Sequence, residues 1–383
     1  MPQSQILIRE VKTRRDLSKF IKLPYKIHKN HKQWLPPILS DEWKVFDPKK
    51  NPAFQHCDTI LLMAEQKGKV VGRIMGIINH TYNEGKNEKN GRFSFLECYD
   101  DGKVFDSLLQ KVERWAAEKG MEQLVGPLGF SDKDPQGFLI EGFDDPMTVM
   151  ITNHNYPFMV SFMEENGYAK ELDLVQYRIN TIEKLPLVYN RIAERVLNKG
   201  YRVIEFKNTK TIRQYIEPIL NLINESYKNI YGFAPLTDVE AKEFSNRFLP
   251  ILNPDFVKLI FDKNEELAAF IIAMPDMSAG LRATGGKLFP FGFIRILRSM
   301  KKTKQLNLLL GSIKESRRNA GLDAVLAVKI LESATSSGFT VLDTHLIMET
   351  NKKMRAECER LDAEMYKKYG RQHLNRQCNQ IAF

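Results

Sequence analysis

One succession of elements is written twice along this chain of 383 residues, and a fold has to accommodate both copies. In the first, residues 6–11 read as a strand. Residues 16–22 have helical spacing, with Thr13 placed to cap them. Residues 59–65 and 70–78 form a hairpin around Lys67-Gly68-Lys69, and residues 93–99 read as a further strand. Leu108, Leu109, Val112, Trp115 and Ala116 then fall on one face of a helix over residues 105–119, ended by Gly120 and followed by a strand at 123–128. In the second copy a strand at 201–206 leads through helical stretches at 212–227 and 239–249. A hairpin at 256–261 and 267–274, around Asp262-Lys263-Asn264-Glu265, comes next. An apolar run at 308–310 precedes a helix with Ala324, Val325, Val328, Leu331 and Ala334 on one face. Gly338 ends that helix and a strand follows at 339–342. Repetition on this scale implies two like units, and the length suits two domains. The best boundary is the 181–186 connection after a strand at 174–179, giving lobes 1–182 and 183–383.

The copies differ where strand turns into helix. The second has the basic loop Glu315-Ser316-Arg317-Arg318-Asn319-Ala320-Gly321. A helix N-terminus offers unpaired N–H groups and the positive end of a dipole, glycine lets backbone approach closely, and arginine adds charge. A phosphate or pyrophosphate suits such a place. The first copy has Tyr99-Asp100-Asp101-Gly102-Lys103 there, and its two carboxylates repel a polyphosphate.

At the loop Arg318-Asn319-Ala320-Gly321-Leu322-Asp323 the sequence resembles the GNAT superfamily of acyl-CoA-dependent N-acyltransferases. Their pyrophosphate loop runs Gln/Arg-x-x-Gly-x-Gly/Ala, and Asp323 departs from its last position. Glu349-Thr350-Asn351-Lys352-Lys353-Met354 is similar to the Asn-centred helix start of that superfamily. Residues 155–168, from Asn155 to Gly167-Tyr168, resemble its Asn–helix–Gly–aromatic ending. Gly126-Pro127-Leu128-Gly129-Phe130-Ser131 and residues 138–143 look like uncharacterised bacterial two-lobed proteins of this kind. The resemblance implies an α+β fold: a tandem of lobes, each a mixed, mostly antiparallel sheet flanked by helices. It implies transfer of an acetyl or longer acyl group from acetyl-CoA or another acyl-CoA to an amine. Arg317, Arg318, Asn319, Gly321, Leu322 and Asn351 would then meet the cofactor, and a backbone N–H around Leu309, Leu310 and Gly311 would polarise the thioester. His345 and Glu349 are the expected bases. Cys358 stands where the superfamily's acidic Tyr is usual, leaving Tyr366 or Tyr369 as substitutes.

Composition narrows the alternatives. The chain has 43% hydrophobic and 27% charged residues, as soluble globular proteins do. No stretch approaches the ~20 apolar residues of a membrane span, the N-terminus lacks signal-peptide regions, and a cytoplasmic location is expected. Cys57, Cys98, Cys358 and Cys378 and the seven histidines are scattered, so neither a disulfide framework nor a metal site is expected. His28 and His31 share a helix face without an acidic partner at ligand spacing. The net charge of +10 suits acidic partners, yet no nucleic-acid recognition motif is present. Two rival classes are a non-catalytic ligand-binding or scaffold protein on the same fold and a tRNA-dependent aminoacyl transferase of the tandem-GNAT type.

Three further segments carry expectations. Residues 83–91 read as a polar loop. Residues 129–150, absent from the second copy, read as a long loop able to wall a substrate site, with Asp144 and Asp145 suited to a cationic amine. Residues 279–302 mix aromatics, glycine and cations. They read as a loop and helix packed through Phe289, Phe291 and Ile294, as a lid for an acyl chain, or as a membrane-surface patch.

Overall fold

The computed structural model describes residues 5–180 and 185–375. Most of the 181–186 connection, and Cys378, lie outside them.

The strands in chain order are β1 (Leu7–Glu10), β2 (Cys57–Gln66), β3 (Lys69–Asn79), β4 (Asn90–Cys98), β5 (Gln123–Gly126), β6 (Phe138–Glu141) and β7 (Ala169–Asn180). They continue with β8 (Arg202–Glu205), β9 (Val257–Phe261), β10 (Leu267–Pro275), β11 (Gln305–Ile313), β12 (Val341–Met348) and β13 (Glu364–Asn375). All belong to one sheet, ordered β1-β2-β3-β4-β5-β13-β7-β12-β11-β10-β9-β8, with β6 paired to β13. Two pairs are parallel, β4–β5 and β11–β12, and each is joined through a crossover helix, Gly102–Glu118 or Leu322–Ser336. Hairpins and longer returns make the others antiparallel. The sheet is thus mixed and mostly antiparallel, as expected.

The two halves are not simply side by side. β13, from the second half, lies between β5 and β7 of the first, and β7 pairs on its other edge with β12. A cut at 182/183 therefore separates strands that are neighbours in the sheet.

Packing follows the sequence patterns. Leu108, Leu109, Val112 and Ala116 bury the Gly102–Glu118 helix against Leu62, Ile74 and Phe93 of the first half. Leu322, Val325, Leu326 and Val328 do the same against Ile260 and Ala268 in the second. Thr13 caps the Arg14–Ile27 helix through a reciprocal pair with Asp16. Lys67 and Gly68 turn the β2–β3 hairpin with φ of 50° and 71°.

Three expectations need correction. Residues 83–91 hold no simple loop. Asn79 accepts the Tyr82 N–H and starts the helix His80–Lys86, whose Tyr82 ring is buried over the Arg92 guanidinium, and β4 begins at Asn90. Residues 129–150 are not loop throughout: Phe138–Glu141 form β6, paired with β13. Residues 279–302 form two helices, Ser278–Thr284 and Gly292–Lys302, that pack through Leu281, Ile296 and Met300. Phe289 and Phe291 are not in that core, being 85% and 68% exposed.

Candidate functional site

β11 and β12 pair in parallel only at Gln305–Val341, Leu306–Leu342 and Asn307–Asp343, and then diverge. A cavity of about 1520 Å³ opens at the fork. Each strand carries a bulge there. Opposite β10, Leu310 pairs with Ile272 and Leu308 with Ala273, so Leu309 has no partner. Opposite β7, Asp343 pairs with Arg178 and Leu346 with Gln176, one residue out of register, and His345 takes up the slack with φ of 58°. Bulges release a backbone N–H from the ladder and re-aim side chains, and non-glycine residues at positive φ concentrate at functional sites. Leu309 and His345 both line the cavity.

One end of the cavity is basic. Arg318, Asn319, Lys352 and Lys353 line it, together with Leu310 and Gly311. The helix Leu322–Ser336 begins beside them, at Gly321 (φ 85°), with no side chain capping its first amides. In the first half Asp101 accepts the N–H groups of Lys103 and Val104, so that helix start already holds its own carboxylate. Gly321 also has a packing reason: a Cβ there would meet Ile192 Cγ2 at 2.6 Å.

The other expected residues divide. Arg317 faces away and is paired with Asp262 at 2.7 Å. Leu322 is buried in the core. Asn351 caps the helix Lys352–Arg360 through the Met354 N–H and lines the cavity. Glu349 is not among the lining residues. Its carboxylate takes Lys170 Nζ at 2.8 Å and the Asp173 N–H at 3.1 Å, a tie between the halves. Tyr366 is turned inward and donates to Asp343 Oδ2 at 2.6 Å. Burial and that carboxylate push its hydroxyl far above the usual tyrosine range, so it is no ready proton donor. Tyr369 is fully buried. Cys358 lines the cavity, its thiol pushed up to about 12 by burial. Asp145 is committed to Arg178 at 2.8 Å, and neither it nor Asp144 lines the cavity.

Asp343 sits at the fork itself, fully buried, and accepts from Gln176, Tyr366 and the His345 N–H. Burial raises its carboxyl to about 6. Burial lowers the His345 ring to about 4, so the imidazole is neutral at physiological pH and able to accept a proton.

At the cavity's far end the 129–150 segment does form part of the wall, through residues such as Asp132, Gln136, Phe138 and Met150, but sequence reading missed the residues it faces. The cavity runs into the first half, past Pro127, Gln136 and Phe138, to Glu97, Asp41 and Glu42. Glu97 Oε2 lies 2.8 Å from His28 Nε2, and His31 adjoins His28 at 3.0 Å. The partner that His28 lacked locally comes from 69 residues away. His154, buried beside Thr152, also lines the cavity. No local pattern marks these residues. Tyr227 Oη, 2.9 Å from the Gly311 carbonyl, is likewise a lining residue without a sequence signal.

The whole chain aligns with a solved tandem GNAT protein from the clavulanic acid biosynthesis pathway. The TM-score is 0.56 over 97% of this chain and 98% of that one, at 11% identity. The chain has the tandem GNAT fold. Two curated proteins are similar to this chain along nearly its full length. A bacterial ceramide synthase from Caulobacter vibrioides is 27% identical over 366 residues, 94% of each chain. Protein YghO from Escherichia coli is 25% identical over 373 residues, 95% of this chain and 94% of that one. No protein-family model matches.

The two neighbouring arginines offer a test of the basic end of the cavity. Arg318→Ala should weaken acyl-CoA binding about ten-fold by calorimetry, the scale of one charged hydrogen bond. Arg317→Ala should leave affinity alone and lower the melting temperature, since it frees Asp262. Equal effects of both on affinity would contradict the placement.

Proposed function

We propose that this protein is an acyl-CoA-dependent N-acyltransferase whose acceptor is the amine of an amphiphile. The observation that carries this is one cavity joining a basic loop in the second half, two bulges at the strand fork, and an acidic wall in the first half. The CoA pyrophosphate would lie on Arg318, Lys353 and the first amides of the Leu322–Ser336 helix. The Leu309 N–H, at the β11 bulge, would hold the oxyanion that forms when the amine nitrogen attacks the thioester carbonyl carbon. The acceptor's ammonium would first give up one proton to solvent, and His345 would take the second from that nitrogen as it attacks. The C–S bond then breaks and the CoA thiolate leaves.

Acceptor chemistry is read from the opposite end. Glu97, Asp41 and Glu42 stand at this end with the buried Arg73, and the excess of carboxylates suits an ammonium group better than a phosphate, which disfavours a tRNA end there. Trp34, Leu35, Pro36, Pro37 and Ile38 beside them offer apolar surface to the amine's body. A ceramide synthase makes an amide of a long-chain amine, and the full-length similarity to the protein of that name supports this class of acceptor.

The test is acyl-CoA binding followed by turnover. Long-chain acyl-CoA in hundred-fold excess over its Kd should stabilise the protein by about 2.7 kcal/mol. Free CoA should then appear only when a long-chain primary amine is added. No thermal shift with any acyl-CoA would sink the reading.

A pH profile examines the base. With the His345 ring at about 4, the acid limb of kcat/KM falls near pH 4 and not near the ordinary histidine value. A limb near pH 6 that survives in His345→Gln would report Asp343 instead.

A further inference from the structure

The helical hairpin over residues 278–302 carries a feature that acyl transfer inside the cavity does not use. Phe289, Phe291, Phe293 and Leu297 are 85%, 68%, 47% and 44% exposed. The other exposed large apolar side chains of the described residues are scattered in ones and twos along the chain, whereas these four fall within nine residues. Phe293 and Leu297 are one helical turn apart and occupy a strip next to Ile296 and Met300, which face the core. The aromatics of the connecting turn extend that strip outward. Clustered exposure of this kind marks a surface that meets something apolar.

The charge of the segment says what. Residues 278–302 contain Arg282, Lys287, Arg295, Arg298, Lys301 and Lys302 and no acidic residue. Lys287, Arg295, Arg298, Lys301 and Lys302 are exposed, and none has an acidic partner within ion-pair distance among the described residues. An acidic protein or a nucleic acid would satisfy the cations but leave the phenylalanines in water. A bilayer with anionic headgroups satisfies both: the rings enter the headgroup–acyl boundary and the cations meet the phosphates. No helix of the described residues is long and apolar enough to cross a membrane, so such an association would be interfacial.

The hairpin also stands on the cavity wall. The Leu39 N–H donates to the Gly286 carbonyl at 2.9 Å, and Gly286 (φ 72°) lies so close to Pro37 that a Cβ would meet the Pro37 carbonyl at 2.0 Å. Leu35 and Ile38 pack on Leu281 and Ile296, and the whole stretch from Trp34 to Ile38 lines the cavity. We propose that the 278–302 hairpin is a docking surface for an anionic lipid bilayer, seated beside the acceptor end of the cavity. Docking there would bring an amphiphile's headgroup to the acidic wall without passing the CoA end.

The experiment is co-sedimentation of the full-length protein with phosphatidylcholine vesicles, with and without phosphatidylglycerol. Binding is expected to the anionic vesicles and to weaken with added salt. Phe289→Ser/Phe291→Ser/Phe293→Ser should cut the bound fraction ten-fold or more. Arg295→Gln/Arg298→Gln/Lys301→Gln should do the same for anionic vesicles. These side chains are exposed, so the melting temperatures of both variants should match the wild type. Acyl-CoA affinity measured without vesicles is a separate arm and should be unchanged. The proposal is overturned if the wild type ignores anionic vesicles or if the aromatic variant binds them equally well. It is also overturned if light scattering finds a dimer that the aromatic variant turns into a monomer, which would assign the patch to a second copy. Acyl-CoA binding intact with vesicle binding absent would remove the docking surface and leave the transferase reading standing.

Discussion

Neither half of this chain should fold when made alone, and the two should regain a cooperative transition when co-expressed. Residues 185–375 lack β7, so β12 loses its outer neighbour and β13 has no partner. Residues 5–180 keep β5 and β7 but hold neither strand that pairs with β7, so one edge of β5 and both edges of β7 are bare and invite aggregation. Removing β13 also removes Tyr369 and Arg371, among the largest fully buried side chains. Deleting one large core side chain costs about 3–5 kcal/mol, while a whole domain is stable by about 5–15 kcal/mol. Loss of an entire central strand exceeds that margin. The check is solubility and calorimetric melting of each half, alone and together. A separate half that melts cooperatively at the temperature of the whole chain would contradict the shared sheet.

Leu309→Pro should lower kcat about a hundred-fold or more with little change in melting temperature or acyl-CoA affinity. Proline removes a backbone N–H, which inside a ladder would cost a hydrogen bond, but it is tolerated at bulges. Leu309 is such a position, since no residue of β10 stands opposite it. If its N–H holds the oxyanion, the loss falls on the transition state, and one missing donor of that type costs roughly 100- to 1000-fold. Leu309→Ala keeps the N–H and should retain nearly full turnover. Steady-state kinetics of the two variants, with calorimetry for acyl-CoA, separates the effects. A proline variant with a near-normal rate would remove Leu309 from the chemistry.

What the sequence makes legible here is local. Helices written with Leu108, Val112 and Ala116, or with Val325 and Val328, form where their spacing puts them, because a 3.6-residue period can bury one face in only one way. The β2–β3 turn was legible in Lys67-Gly68 because a tight hairpin needs positive φ, which glycine adopts freely. The basic loop at Arg318 was legible as a cluster of charge at a helix start because its parts are contiguous. Pairings across the chain were not. Nothing around Arg317 indicates Asp262, and nothing around Glu349 indicates Lys170, 179 positions away. Both residues carry the right charge for a site and spend it on structure. The bulges at Leu309 and His345 are displacements of backbone against a neighbouring strand, which side-chain identity does not encode. The acidic end of the cavity belongs to the lobe whose own phosphate position is blocked by Asp101, so motif reading had no cause to look there.

Strand order has a consequence for biosynthesis. β5 and β7 leave the ribosome early, and the strand that belongs between them follows only after nearly half the chain has been translated. At about 5–20 residues per second, the gap stays open for on the order of ten seconds or more. Through that interval the nascent first half carries a bare edge on β5, an unpartnered β7 and an unfilled core. Ribosome-bound chaperones are the natural cover for it, and slow codons inside the second half would lengthen the exposure and reduce the yield of native protein.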